Sequence, residues 1–242
     1  FPDLSLEDQG WQQQVEDVQQ LNTTNRFPLL AGRLIWSGRV DASNCPNRGL
    51  LANGSADSCG EALAQPIVEQ WQNENNAAML QAARQAYIPA HLLKGLIAQE
   101  SQFWPYWQKK GEYGLGMLTD LGVDMTLRWN HNFYLNKCTH YYSQPYCAQG
   151  YENISSVAQN FLRGRLMTEI GTPAEYRLLA ESLYAGCLQS AQLVRNLTKK
   201  EPREVATYEE MWRITLGVYH SGCGCLHDAM KQSWKNNQNF EW

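Results

Sequence analysis

Residues 89–105 read PAHLLKGLIAQESQFWP, and this stretch predicts the helix on which the interpretation of the whole chain depends. A proline at the start suits the first turn of a helix, and the proline at residue 105 requires the helix to end before it. Glu100 follows Leu96 and Ile97 at spacings of four and three, so its carboxyl group shares their core-facing stripe. Burial disfavours a charged carboxylate, so we expect a raised pKa for Glu100, as in a general acid.

An aromatic cluster follows directly, because residues 103–107 read FWPYW. Such rings suit stacking on the apolar faces of sugars. Two alternatives remain open from periodicity alone. The aromatic rings could belong to the core, and Glu100, close to the end of its helix, could extend to water.

Helical periodicity dominates after about residue 62, which predicts a mainly α-helical protein. Pro66 suits a first helical position, and we expect a long helix from there to about Tyr87. Thr207 and Glu210 form a capping-box pattern at the start of another helix. Before residue 62 the chain is loop-rich, and residues 34–40 alternate as a short strand or hairpin arm would. The remaining helices are predicted at 155–170, 175–199, 207–219 and 226–234.

The composition is that of a globular protein and argues against both a nucleic-acid partner and a membrane-spanning segment. The 242 residues are 43% hydrophobic and carry a net charge of −4 with an isoelectric point near 5.8. This charge gives no electrostatic footprint for nucleic acid, so we expect no nucleic-acid partner. No apolar run approaches the length of a membrane span, so we expect no transmembrane segment. The chain begins at Phe1 without a basic leader, so we expect a signal peptide to have been removed or left out.

Seven cysteines indicate the compartment. Cys45 with Cys59 and Cys138 with Cys147 stand at loop-closing separations, and two such disulfides predict an exported protein. Free thiols in a cytosolic protein are the alternative. We expect a third disulfide between Cys187 and Cys225, which leaves Cys223 unpaired. The spacing of Cys223, Cys225 and His227 matches no common zinc pattern, so we expect neither a metal nor a cofactor.

Three segments together resemble the catalytic domain of the soluble lytic transglycosylases. They are residues 96–105 (LIAQESQFWP), 111–119 (GEYGLGMLT) and 219–222 (YHSG). They match, in order and approximate separation, a Glu-Ser pair ending a helix, a Gly-Leu-x-Gln turn and a Tyr-Asn-Ala-Gly segment. The resemblance implies a lysozyme-like α-helical catalytic domain at residues 65–242, with residues 1–64 as a loop-rich N-terminal extension that contains a disulfide.

That family cleaves the glycan strands of peptidoglycan, so the resemblance implies a secreted or cell-envelope enzyme with peptidoglycan as its partner. Glu100 would be the acid and base that cleaves the bond between N-acetylmuramic acid and N-acetylglucosamine. The muramoyl C6 hydroxyl would then close onto C1 and leave a 1,6-anhydro end, so one carboxylate suffices. Tyr219 would line the cleft and orient the acid. The other residues implied to contact the glycan are Ser101, Trp104, Trp107, Tyr113, Gly114, Leu115, Met117 and His220.

The chain departs from the family pattern at two positions and leaves two other functions open. Met117 stands where the family has Gln, and His220 stands where it has Asn. A glycan-binding protein with impaired catalysis is therefore one alternative. The other is a lysozyme-type hydrolase, which needs a second carboxylate to activate water. The nearest candidates in sequence for that role are Glu112, Asp120 and Asp124.

Overall fold

A computed structural model describes residues 15, 17–106, 108–109 and 111–237. The described residues are mainly helical, as predicted. The helices, in chain order, are α1 Pro28–Trp36, α2 Ser58–Asn73, α3 Asn76–Gln85, α4 Ala90–Ser101, α5 Asp120–Trp129, α6 His131–Cys138, α7 Gln144–Cys147, α8 Ser156–Met167, α9 Glu175–Thr198 and α10 Tyr208–Asn237. A two-residue hairpin, β1 Gln108–Lys109 and β2 Glu112–Tyr113, pairs antiparallel with Gln108 opposite Tyr113.

The N-terminal part contains a helix where we predicted a strand. Residues 34–36 end α1, so the prediction of a strand or hairpin arm at residues 34–40 is wrong. Pro28 at the first helical positions favours a helix, and Leu30 and Leu34 are buried four residues apart on one face of it. The apparent alternation was the edge of this helical stripe.

The long helix predicted from Pro66 is two helices, and Pro66 does not begin either one. It lies inside α2, which starts eight residues earlier at Ser58. Asp57 caps this start by accepting a hydrogen bond from the Gly60 amide at 2.8 Å. A turn at residues 74–75 separates α2 from α3. The predicted boundary between the N-terminal extension, residues 1–64, and the catalytic domain, residues 65–242, falls inside α2. It does not coincide with a break in secondary structure.

Helix α4 follows the sequence prediction closely. Pro89 is its N-cap, and the helix ends at Ser101 because Gln102 adopts a left-handed conformation with φ 50°. The Gln102 side chain accepts hydrogen bonds from the Leu29 and Leu30 amides at the start of α1, at 2.9 and 3.2 Å. The end of the helix that carries Glu100 is therefore tied to the N-terminal segment.

Helix α9 is the central element, since it packs against α3, α4, α5 and α10. Its 24 residues include both polar and apolar side chains that are buried, among them Glu175 and Glu181. One hydrophobic cluster extends from Val15 to Trp212 and contains side chains from α1 to α9 and from the start of α10. A second, smaller cluster joins the end of α9 to α10, through Val194, Met211, Ile214 and Met230 among others.

Helix α10 begins at the predicted capping box, which is confirmed. The Thr207 hydroxyl accepts from the Glu210 amide at 3.2 Å, and the Glu210 carboxylate accepts from the Thr207 amide at 2.6 Å. The two helices predicted at 207–219 and 226–234 are joined into one element, interrupted at Gly222 with φ 76° and ψ 163°. A side chain is strained at this positive φ, so glycine suits the break.

Two of the three predicted disulfides are confirmed. Cys45 is bonded to Cys59, and Cys138 is bonded to Cys147. The predicted Cys187–Cys225 bond is wrong, because both cysteines are free. Cys187 is buried in α9 beside Thr215, and burial raises the pKa of its thiol to about 12, whereas Cys225 is exposed on α10. None of the described helices combines the length and the hydrophobicity needed to cross a bilayer.

Candidate active site

Glu100 lies in the last turn of α4, directly before the left-handed residue that ends this helix. Its side chain is 15% exposed, so the carboxyl group is shielded but reachable from solvent. The imidazole Nδ1 of His220, on α10, lies 3.4 Å from Glu100 Oε1. The His220 side chain is 78% exposed, so the contact joins a shielded carboxyl group to an imidazole at the surface. Glu100 thus lies where the end of α4 meets α10.

A cavity of about 420 Å³ opens beside this carboxyl group between α4 and α10. Leucine side chains from both helices form much of its wall, and Gly95 leaves the α4 backbone accessible within it. Glu100 is the carboxylate among the residues that line it. The lining residues are His91, Leu92, Gly95, Leu96, Gln99, Glu100, Leu216 and His220. The cavity therefore combines an apolar wall with one acid and two imidazoles, which suits a site for a small part of a ligand.

Residues 114–117, which we call the glycine turn, form a tight loop next to this region. The turn is closed by the Tyr113 and Leu118 backbones, which exchange two hydrogen bonds of 2.9 Å. Gly114 has φ 73°, a conformation that favours glycine. A Cβ atom at Gly116 would overlap Leu179 and lie 2.9 Å from the Tyr219 hydroxyl, so only glycine fits there.

Tyr219 joins the glycine turn to α10. Its hydroxyl donates to the Gly116 carbonyl at 2.6 Å, across a separation of 103 residues. The pKa of Tyr219 is raised above its ordinary value, mainly by burial and further by the negative charges of Glu100 and Glu175. Its hydroxyl therefore stays protonated as a donor, and it lies within the electrostatic field of both carboxyl groups.

Glu175, the first residue of α9, is a buried carboxyl group that we did not predict from the sequence. It is fully buried and accepts hydrogen bonds from the Leu115 amide at 2.5 Å and the Gly171 amide at 2.8 Å. Burial raises the pKa of Glu175 although these donors favour its charged form. A glutamate in a first helical turn usually complements the helix dipole, so the sequence carries no signal for this contact.

The structure brings Glu100 into contact with His220, and Tyr219, next to His220 on α10, contacts the Gly116 carbonyl of the glycine turn. Met117 is half-buried and has φ 51°, which is uncommon for a residue with a side chain. Neither it nor the glycine turn lines the cavity beside Glu100.

Other residues expected to contact the glycan are placed differently. Ser101 is fully buried, and its hydroxyl donates to the Ile97 carbonyl at 3.1 Å, so it does not face a cleft. Trp104 stacks on Trp71 of α2, with ring centres 5.5 Å apart, and packs edge-on against Tyr106. Tyr113 is half-buried in β2. Trp107 lies outside the described residues. The stacking of Trp104 on Trp71 was not predicted, because it joins positions far apart in sequence.

The carboxylates considered for activating water do not line the cavity. Asp124 accepts a hydrogen bond from the Tyr151 hydroxyl at 2.6 Å and lies 3.5 Å from Arg163, so it faces α8. Asp120 is exposed in the first turn of α5, and Glu112 belongs to β2.

Comparisons with known proteins add no assignment. No family model, no curated protein and no solved structure matches this chain.

Proposed function

We propose that this protein is a lytic transglycosylase that cleaves the glycan strands of peptidoglycan, with Glu100 as its acid and base. One observation carries the proposal. Glu100 is the shielded carboxylate of the cavity between α4 and α10, and the Tyr219 that follows it in the motif order holds the glycine turn nearby. The first and third of the segments that resemble the family motifs, 120 residues apart, meet at this carboxyl group, and Tyr219 ties the second segment to the third.

In the proposed reaction Glu100 gives its proton to the glycosidic oxygen, and the bond from this oxygen to C1 of the muramoyl residue breaks. The C6 hydroxyl of the same residue then forms a bond to C1 and returns its proton to the Glu100 carboxylate. No water is consumed, and the acid is regenerated. One carboxylate performs both proton transfers, which agrees with the single carboxylate among the described residues lining the cavity.

The surroundings of Glu100 suit this role. The leucines of α4 and α10 exclude water from one side of the carboxyl group, and low polarity strengthens its interaction with a developing charge. His220, at 3.4 Å, can donate to Glu100 after the first proton transfer, as the family's asparagine amide could.

The proposal includes the cell compartment and the fold family. The two disulfides form and persist in an oxidising, exported setting, where peptidoglycan is found. We propose that residues 65–242 form a lysozyme-like catalytic domain and that residues 1–64 extend it.

A digest of purified sacculi, analysed by mass spectrometry, tests the proposal. We expect products with 1,6-anhydromuramoyl ends from the wild type and no products from Glu100→Gln. Asp120→Asn is the matched control, because it neutralises an exposed carboxylate of the region and should digest as the wild type does.

The other outcomes would contradict the proposal. Products with reducing ends would indicate hydrolysis by a lysozyme-type mechanism. Sacculi that are bound in a pull-down but not digested would indicate a glycan-binding protein. A Glu100→Gln variant as active as the wild type would remove Glu100 from the mechanism.

A further inference from the structure

We infer that Glu175 is a positioning residue of the candidate active site: its buried carboxyl group fixes the backbone of the glycine turn beside Tyr219 and Glu100. The structural part of this inference stands on contacts alone. Its effect on catalysis rests on the proposed function.

The contact between Glu175 and the turn is made by hydrogen bonds from the backbone. The Leu115 amide donates to Glu175 Oε1 at 2.5 Å. Gly171 donates to the other oxygen at 2.8 Å. A Cβ atom at Gly114 would overlap Glu175 Oε1, so the turn wraps closely around the carboxyl group. Hydrogen bonds in a buried setting are stronger than those exposed to water, so these contacts hold the turn and the carboxyl group together.

Glu175 connects the glycine turn to a helix that is packed in the core. It is the first residue of α9, whose following residues Leu178 and Leu179 are fully buried. The glycine turn buries one side chain of its own, Leu115, and the backbone amide of the same residue is bound by Glu175. The turn is therefore held by the most deeply packed helix of the described structure.

Tyr219 also binds the glycine turn, but here the turn accepts the hydrogen bond, whereas it donates one to Glu175. Its hydroxyl donates to the Gly116 carbonyl, while Glu175 accepts from the amide of the preceding residue, Leu115. The turn is thus held at neighbouring residues from two helices, α9 and α10. Since α10 also carries His220, this arrangement sets where the turn lies relative to Glu100. Small displacements of groups that position a substrate lower catalytic rates strongly.

Glu175→Gln is the informative variant because it keeps the size of the side chain. A carboxamide has one acceptor oxygen and one amino group, so it cannot accept from amides on both sides. Glu181→Gln is the matched control. Glu181 is also a buried glutamate of α9, but it accepts from Asn130 Nδ2 at 2.7 Å and lies near Arg177, away from the turn.

Two measurements separate positioning from a general loss of stability. Hydrogen–deuterium exchange of a peptide covering residues 112–118 should become faster in Glu175→Gln and stay unchanged in Glu181→Gln. The kcat/KM for soluble peptidoglycan fragments should fall by about tenfold or more in Glu175→Gln, at a temperature where both variants are folded. Glu181→Gln should retain the wild-type kcat/KM under those conditions.

The results distinguish this inference from the proposed function. If the wild type does not act on glycans but exchange at 112–118 responds only to Glu175→Gln, the proposed function fails and the structural role stands. If exchange at 112–118 is unchanged, or if both variants lower kcat/KM equally, the positioning role is wrong. If Glu175→Gln does not fold, Gly114→Ala is the second variant, because its Cβ atom would push the turn away from an intact Glu175 carboxyl group. Exchange at residues 112–118 should then be faster in Gly114→Ala than in the wild type, and unchanged exchange would contradict the inference.

Discussion

Lys94 should make the stability of this protein rise with pH above neutrality. It lies in α4 with 4% of its surface exposed, and its ammonium group donates to three uncharged oxygens. These are the Leu21 carbonyl at 2.6 Å and the side-chain oxygens of Asn73 and Asn76 at 2.8 and 2.9 Å. Burial of the positive charge lowers the pKa of Lys94 from 10.5 to about 8.

The sign and size of the effect follow from proton binding. Between pH 8 and 10.5 the unfolded chain keeps the proton of this lysine while the folded protein has lost it, so the free energy of unfolding increases with pH. The full shift corresponds to about 3 kcal/mol, of which about 2 kcal/mol falls between pH 7 and pH 9.5. Tyrosines and Cys187, whose pKa values are raised, oppose this increase at higher pH.

Urea denaturation at pH 7 and pH 9.5, followed by circular dichroism, measures the effect. The comparison is between the wild-type residue and Lys94→Met, because the difference between them cancels the other titrating groups. Both carry Cys223→Ser and Cys225→Ser, so that no thiol from this pair attacks the disulfides at alkaline pH. Lys231→Met, on α10, controls for the loss of one exposed positive charge.

We expect Lys94→Met to be less stable at both pH values, because it leaves three buried oxygens without their donor. Its deficit should widen by about 2 kcal/mol at pH 9.5. A deficit that stays constant with pH, or one that widens as much in Lys231→Met, would refute the argument that Lys94 loses its proton in the folded protein.

Three further predictions concern the elements around the site. Replacing Cys45 and Cys59 by serine opens a loop of 14 residues and should lower the free energy of unfolding by about 3 kcal/mol, measured by urea titration. Thr207→Ala removes a helix cap and should cost about 1 kcal/mol in the same assay; no change would mean that the cap is unimportant. In the native state Cys225 should react with a thiol reagent, whereas Cys187 should react only in denaturant, as mass spectrometry of the labelled peptides would show.

The sequence predicted best where the signals were local. In α4 the helix start, the buried stripe and the position of Glu100 all depend on residues within twelve positions of one another. The capping box at Thr207 is local in the same way. At residues 34–40 local reasoning failed, because a short apolar run fits either a strand edge or the last turn of a helix.

Contacts between distant segments could not be predicted. Lys94 shares the buried stripe of α4 with Ile97, but its hydrogen-bond partners, the Leu21 carbonyl and Asn73 at the end of α2, come from segments that the sequence does not place beside α4. Glu175 has the appearance of a first-turn acid, and its partner in the glycine turn, Leu115, lies 60 residues earlier. The Cys187–Cys225 pairing was wrong because burial of Cys187 is set by α10 packing on α9.

The same packing of α10 on α9 makes the candidate site depend on the smaller hydrophobic cluster. Val194, Met211 and Ile214 fix the first half of α10 on α9, and the next two turns carry Leu216, Tyr219 and His220. Gly222 then ends the continuous helix directly after these residues. Loosening the small cluster would therefore move one wall of the cavity, the donor to Gly116 and the imidazole beside Glu100 together. Because Glu175 holds the glycine turn from α9 itself, such a change would separate the two supports of the turn while leaving the Glu175 contact in place.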